Sequence, residues 1–267
     1  MSATRVITSS VLVPVLFAVV WFLPPVYFTW LAIVAAAIGQ HELYVMAHSR
    51  GIRPLNVTGI VIGAVVVFEM GHPFRFMGGG AFFWLVLGVL LVLAVRLFSR
   101  GPVEGALEDM SVTFLGIGYV ALLFGFQTAL LTGLPGKRWL VFLYLVIWAS
   151  DIGAYYVGTA YGKHRLYEKI SPKKSIEGLL GGVGASMIVA LLCKFWFLRS
   201  VGAGEALLLG GGLALVGTVG DLAESLLKRS VGVKDSGTIF PGHGGMLDRL
   251  DSLMFAAPAL FYYLRMR

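Results

Sequence analysis

The chain has little charge and almost no cysteine. Of its 267 residues only 13% are Asp, Glu, Lys or Arg, about half the share usual in soluble domains. A disordered chain needs low hydrophobicity and high charge, so this composition excludes one. The single cysteine, Cys193, excludes an internal disulfide framework and any multi-cysteine zinc site. The 267 residues contain no long polar insertion and no tract of low complexity. What the chain has in excess is apolar surface: 58% of residues are hydrophobic before any of the 35 glycines is counted. Too few polar residues remain to cover a soluble domain, and an all-α, polytopic integral membrane protein is expected.

A hydrocarbon core of about 30 Å requires roughly 20 mainly apolar residues per helix. The runs that meet or approach this predict about nine transmembrane helices: Val6–Leu23, Val26–Val45, Leu55–Met70, Gly80–Leu97, Val112–Leu131, Leu140–Ala160, Leu179–Leu198, Ala206–Leu227 and Leu250–Leu264. We read a single membrane domain over 1–267. Residues 1–135 would form N-terminal helices facing lipid or a dimer partner, and 136–267 the catalytic helices and loops. Arg5 followed by Val11–Leu23 resembles a secretory signal, but the run ends in Pro24-Pro25 without a small-x-small cleavage site, so it is expected to be retained.

With nine spans and a cytoplasmic N-terminus, fourteen of the 21 basic residues fall on the cytoplasmic side and seven on the other, as the positive-inside rule favours. The net charge of +7 therefore reads first as topology. Nucleic-acid binding gains no support without a basic soluble domain.

Ionisable groups within or beside a span are costly and mark interiors or aqueous cavities. Asp151 lies near the middle of the sixth span, with Tyr155 four residues on along the same face and Gly153 and Gly158 permitting close helix approach. A carboxylate bonded to a neighbouring helix is the plainer alternative. Next comes the loop Lys163–Glu177, containing Ser171-Pro-Lys-Lys-Ser-Ile-Glu-Gly178. Pro172 breaks the local helix and Ser175 can cap a new one. Lys173 and Lys174 ahead of a helix N-terminus suit a phosphate, although an ordinary positive cytoplasmic loop reads the same.

The densest cluster lies further on. Asp221, Glu224, Ser225 and Lys228 occupy i, i+3, i+4 and i+7 of one helical stripe. Lys234-Asp235, Pro241-Gly-His-Gly-Gly245 and Asp248-Arg249-Leu-Asp251 follow. Five of the 14 acidic residues thus fall between Asp221 and Asp251, beside four Lys or Arg. Carboxylates flanking a Gly-rich basic loop suggest a hard divalent cation with phosphate, since Mg²⁺ takes one or two carboxylates and completes its shell with water and substrate oxygen. Gly242, Gly244 and Gly245 would allow close backbone approach to a polyphosphate. Against this, His243 alone is more often a structural hydrogen-bonder. Asp235 and Asp251 could simply pair with Lys234 and Arg249, and a transporter could use such carboxylates for ion coupling.

The run Ser225-x-x-Lys228-Arg229-x₄-Lys234-Asp235-x-Gly237-x₃-Pro241-Gly-His-Gly-Gly245-x-x-Asp248-Arg249-x-Asp251 resembles the signature of the phosphatidate cytidylyltransferase (CDP-diglyceride synthase) family, without a departure from its pattern. Asp151 and the Ser171–Gly182 segment resemble family features too, so the likeness covers roughly the last 120 residues. It implies a multi-span enzyme of the cytoplasmic membrane that converts CTP and phosphatidic acid to CDP-diacylglycerol and pyrophosphate. It also implies dependence on Mg²⁺, a second metal ion such as K⁺, a homodimer, and a site open to the cytoplasm.

On that basis the metal is assigned to Asp221 and Asp248, with Glu224, Asp151 and Asp251 as further ligands or carboxylates behind them. Lys173, Lys174, Lys228, Arg229, Lys234 and Arg249 would hold the triphosphate and the phosphatidate head group. Among these, Asp221, Asp248, Lys228, Arg249 and Lys234 are the expected catalytic set. Ser175, Ser225 and His243 would give hydrogen bonds, and Gly244 and Gly245 close backbone approach. A CTP-dependent lipid kinase and a secondary transporter are the rival readings. A CDP-alcohol phosphotransferase is disfavoured because no Asp-x₃-Asp lies between Asp221 and Asp248.

Overall fold

The computed structural model describes residues 14–72, 80–133, 136–239 and 244–267. The starts of the first expected span and of the signal-like stretch lie outside them. The described chain is helical apart from one short hairpin. Its helices are α1 (14–22), α2 (Pro25–His48), α3 (Asn56–Gly71), α4 (Gly80–Leu97), α5 (Ala106–Leu115), α6 (Leu123–Thr132), α7 (Lys137–Tyr161), α8 (Ile176–Trp196), α9 (Ala203–Ser230) and α10 (Leu247–Met266). A π-helical stretch, Gly116–Leu122, joins α5 to α6 into one rod over Ala106–Thr132.

Six helices among the described residues are long and apolar enough to cross a bilayer: α2, α4, the α5–α6 rod, α7, α8 and α9. The expected count of nine is therefore not reached on these criteria. The third expected span is a 16-residue helix, α3, about 24 Å at 1.5 Å per residue. The last, α10, has 20 residues but gives up apolar length to Asp248, Arg249, Asp251 and Arg265. Large apolar side chains such as Phe82, Leu90, Ile188, Phe195 and Leu208 point outward, the pattern of a surface solvated by lipid.

The chain separates into two compact units, Met1–Leu134 with Ser230–Leu250, and Pro135–Arg229 with Asp251–Arg267. The expected halves met at 135/136. The units divide one residue earlier, and the segment 230–250 belongs to the first.

In the first unit, Ile62, Val66, Val92 and Ile117 form an apolar core. Polar groups beside it hydrogen-bond across helices. The fully buried Tyr44 donates its hydroxyl to the Thr113 carbonyl at 3.1 Å, and the Gln40 amide donates to the Gly59 carbonyl at 3.0 Å. At the α4–α5 corner, buried Asp109 pairs with Arg96 at 3.2 Å and accepts the Arg53 N–H at 2.7 Å.

The second unit is built on close helix contact. On α7 and α8, a β-carbon at Gly153 would lie 2.6 Å from the Ala185 methyl and 2.7 Å from the Gly181 carbonyl. Backbones can approach this closely only where side chains are small, the usual device of membrane helix pairs. Ser186 donates to the Val146 carbonyl at 2.9 Å across the same seam. Before α8 the chain forms an antiparallel hairpin, β1 (Arg165–Tyr167) and β2 (Ser171–Ser175). Part of the segment expected as a loop is thus paired strand. Pro172 is tolerated there because a two-stranded hairpin has only edges.

Candidate active site

Helix α9 has 28 residues, about 42 Å at 1.5 Å per residue, so about eight exceed what the hydrocarbon core needs. Asp221, Glu224, Ser225, Lys228 and Arg229 sit in this last third. Gly217 and Gly220 are why α10 reaches them. A β-carbon at Gly220 would lie 2.5 Å from the Asp251 carbonyl oxygen, and one at Gly217 2.9 Å from Ile147 and 3.5 Å from Ser252. With no side chain at 220, the α10 backbone packs onto α9 at Asp251, one residue from Asp221. Carboxylate oxygens of Asp221, Glu224 and Asp251 consequently lie within 4.8 Å of one another.

Three anions this close require positive charge. Glu224, fully buried, pairs with Lys228 at 2.5 Å, one turn on. Asp221 pairs with Lys174 from β2 and lies 3.5 Å from the Ser225 hydroxyl. Successive strand residues point to opposite faces; Lys174 turns to the carboxylates, while its neighbour Lys173 is exposed. Arg229 donates from Nε to the Ile170 carbonyl at 3.3 Å and ties the end of α9 to the hairpin. Asp151 is exposed on α7.

Ser175 is buried and caps α8: its Oγ accepts the Gly178 N–H at 3.1 Å. The hairpin is thereby held at the start of α8, with Glu177 binding back to His164 at 2.6 Å.

The remaining expected residues belong to the first unit. Asp248, in the first turn of α10, accepts the Ser236 N–H at 3.0 Å, the Ser236 hydroxyl at 2.9 Å and the Gly245 N–H at 2.8 Å. It thus holds the preceding loop as well as opening its helix. Lys234 and Arg249 are exposed. Gly244 has φ 78°, a left-handed conformation that favours glycine. Pro241, Gly242 and His243 lie outside the described residues.

Two participants carry no motif and escape a reading of the sequence. Ser236, in the loop that Asp248 holds, lies with its hydroxyl 2.9 Å from both Glu42 and Asp248. Glu42 had a signal, an acid beside Gln40 and His41 within the mainly apolar second span.

The donor set fits a hard divalent cation. Carboxylate oxygens are the ligands Mg²⁺ prefers, and two opposite ligands of one Mg²⁺ stand about 4.2 Å apart, close to the spread of the three acids.

Taken together, these features define a multi-pass α-helical membrane protein with a partly buried centre of carboxylates and lysines. The chain belongs to the cytidylyltransferase family, whose model matches residues 3–267. Among curated proteins it is similar to the phosphatidate cytidylyltransferase of Staphylococcus epidermidis, 43% identical over 179 residues, or 66% of each chain. The protein of the same name from Staphylococcus saprophyticus is 42% identical over 169 residues, 63% of this chain and 62% of that one. That of Staphylococcus aureus is 35% identical over 214 residues, 78% and 80%. The aligned stretch thus spans just under two thirds of the S. epidermidis relative.

Proposed function

We propose that this chain is a phosphatidate cytidylyltransferase, transferring CMP from CTP to phosphatidic acid with release of pyrophosphate. The observation that carries the reading is the convergence of Asp221, Glu224 and Asp251 with Lys174 and Lys228 in a chain of the cytidylyltransferase family. The names of its relatives support the same substrates.

The phosphate of phosphatidic acid is already an oxyanion, and pyrophosphate is a good leaving group. Neither a general base nor a covalent intermediate is needed, so the chemistry depends on positioning and on neutralising charge. Asp221, Glu224 and Asp251 would hold Mg²⁺, with Asp248, three positions before Asp251 on α10, and Asp151 as further carboxylates. Bound there, Mg²⁺ would supply positive charge to offset that of the two anionic reactants. Lys174, released from Asp221, and Lys228 would then face phosphate oxygen. Lys173, Arg229, Lys234 and Arg249 would hold the remaining anionic groups, and Ser225 would hydrogen-bond beside Asp221. The acyl chains stay in the bilayer, which accounts for a nucleotide-using protein made almost wholly of membrane helices.

The site would face the cytoplasm. Lys163, Arg165, Lys169, Lys173, Lys228 and Arg229 gather at its end of the second unit, and basic loops favour that side. Labelling of Lys169→Cys in a Cys193→Ser background, from one side of sealed vesicles at a time, tests the orientation. The homodimer and a second ion such as K⁺ rest on the family resemblance alone, and cross-linking in native membranes and ion-replacement assays test them.

The deciding experiment incubates purified protein with phosphatidic acid, Mg²⁺ and CTP labelled at the α-phosphate. Label should enter the lipid and pyrophosphate should be released. Release of CDP with transfer of the γ-phosphate would instead identify a lipid kinase.

A further inference from the structure

Helix α2 supplies an acid that the motifs do not mark. Glu42 is only 4% exposed. Its Oε1 accepts the Met246 N–H at 2.9 Å and its Oε2 the Leu247 N–H at 2.9 Å, from 204 and 205 residues away. These donors stand at the start of α10, where a helix leaves N–H groups without internal partners and its dipole favours an anion. Glu42 therefore caps α10 from another helix.

The same carboxylate reaches the loop ahead of α10. The Ser236 hydroxyl lies 2.9 Å from Glu42 Oε2 and 2.9 Å from Asp248 Oδ2. A hydroxyl has one proton and serves one of the two acids at a time. Either way, Glu42 keeps the Met246 and Leu247 N–H groups, and Asp248 keeps those of Ser236 and Gly245. The loop is moulded around the acid: a β-carbon on Gly237 would lie 2.5 Å from Glu42 Oε1, and one on Gly245 would overlap both Glu42 oxygens and Ser236 Oγ. Burying a carboxylate is costly unless its oxygens are satisfied, and here every bond it makes fixes the segment that carries Asp248.

We propose that Glu42 is a positioning residue for nucleotidyl transfer: it ties Ser236 and the start of α10 to α2 and, through Ser236, sets the orientation of Asp248. The clamp is independent of the reaction proposed above, whereas the effect on turnover rests on it.

The test uses the full chain in detergent, as Glu42→Gln and Ser236→Ala. A glutamine keeps the shape, but its amide nitrogen cannot accept an N–H. Ser236→Ala leaves the Met246 and Leu247 bonds and the residue-236 N–H bond to Asp248 in place and removes only the hydroxyl that bridges Glu42 and Asp248. Hydrogen exchange at Met246 and Leu247 should accelerate at least tenfold in Glu42→Gln, with the α7–α8 peptides unchanged. With labelled CTP, kcat per folded protein should fall at least tenfold in both variants, while KM for phosphatidic acid stays within twofold.

Unchanged exchange at Met246 and Leu247 overturns the clamp. Accelerated exchange with unchanged kcat overturns the positioning role. If Glu42→Gln does not fold, Ser236→Ala decides: a tenfold loss of kcat upholds the proposal and full activity overturns it. Wild-type protein that never moves label into lipid defeats the proposed reaction and the effect on turnover with it, while exchange still judges the clamp.

Discussion

The ammonium of Lys174 and the carboxylate of Asp221 form an ion pair that joins the second strand of the hairpin to α9. Both side chains are partly exposed, at 26% and 31%, so the pair can open without first unfolding anything. On the proposed mechanism the ammonium occupies a place beside Asp221 that a metal ion would also seek. Lys174→Met should therefore lower the Mg²⁺ concentration for half-maximal activity, while reducing kcat at least tenfold through loss of a phosphate contact. Activity measured across a Mg²⁺ titration checks both. An unchanged Mg²⁺ requirement would show that the lysine does not compete with the ion.

Asp221→Asn and Asp251→Asn each remove one of three converging charges without changing side-chain shape. Either should cut transfer of labelled CMP by more than a hundredfold and leave thermal unfolding in detergent near that of the wild type. Asp248→Asn should do likewise. Retained Mg²⁺-dependent activity in any of the three would remove that residue from the ligand set.

Glu224 and Lys228 are a buried pair, and losing one partner strands the other. Breaking such a pair typically costs about 3–5 kcal/mol. Lys228→Met should therefore lower the unfolding temperature clearly, whereas Lys173→Ala, at an exposed position, should leave it almost unchanged. A thermal-shift series of the two variants makes the comparison.

The seam between α7 and α8 tolerates no extra bulk at Gly153, where an added carbon would meet the backbone of Gly181. Gly153→Val should destabilise by about 1–3 kcal/mol, the usual cost of overpacking. Gly212 has nothing within 4 Å of an added carbon, so Gly212→Ala should be neutral or stabilise by roughly 0.5–1 kcal/mol through helix propensity. Denaturation of both variants distinguishes packing from a general intolerance of change at glycine.

Ser175 caps α8, and Ser175→Ala should cost about 1 kcal/mol. Ser175→Asp should recover most of it, because aspartate accepts the same N–H. Matching losses in both variants would show that the hydroxyl matters for something other than the cap.

Much of the site was legible as pattern. The stripe Asp221, Glu224, Ser225 and Lys228 followed from the helical period, and the structure pairs its members 221 with 225 and 224 with 228. Ser175 was readable as a cap because it follows a proline and precedes an apolar run. The hairpin was not: strands of three and five residues, rich in charge, leave no periodic trace. Nor was the number of spans, since α3 falls short in length and α10 spends its first turns on charged residues.

Composition alone required a membrane protein, because so few polar residues cannot cover a water-facing surface, and the spacing of acids, lysines and glycines marked the family whose model the chain matches. Which acid meets which partner was settled only by the fold. Gly220 lets α10 lie against α9 and brings Asp251 to Asp221, strand alternation turns Lys174 rather than Lys173 inward, and Glu42 finds its donors some two hundred residues away. Local periodicity fixes the face of a helix. Contacts between helices depend on which side chains are small enough to let backbones touch, and that is a property of pairs of elements rather than of either one.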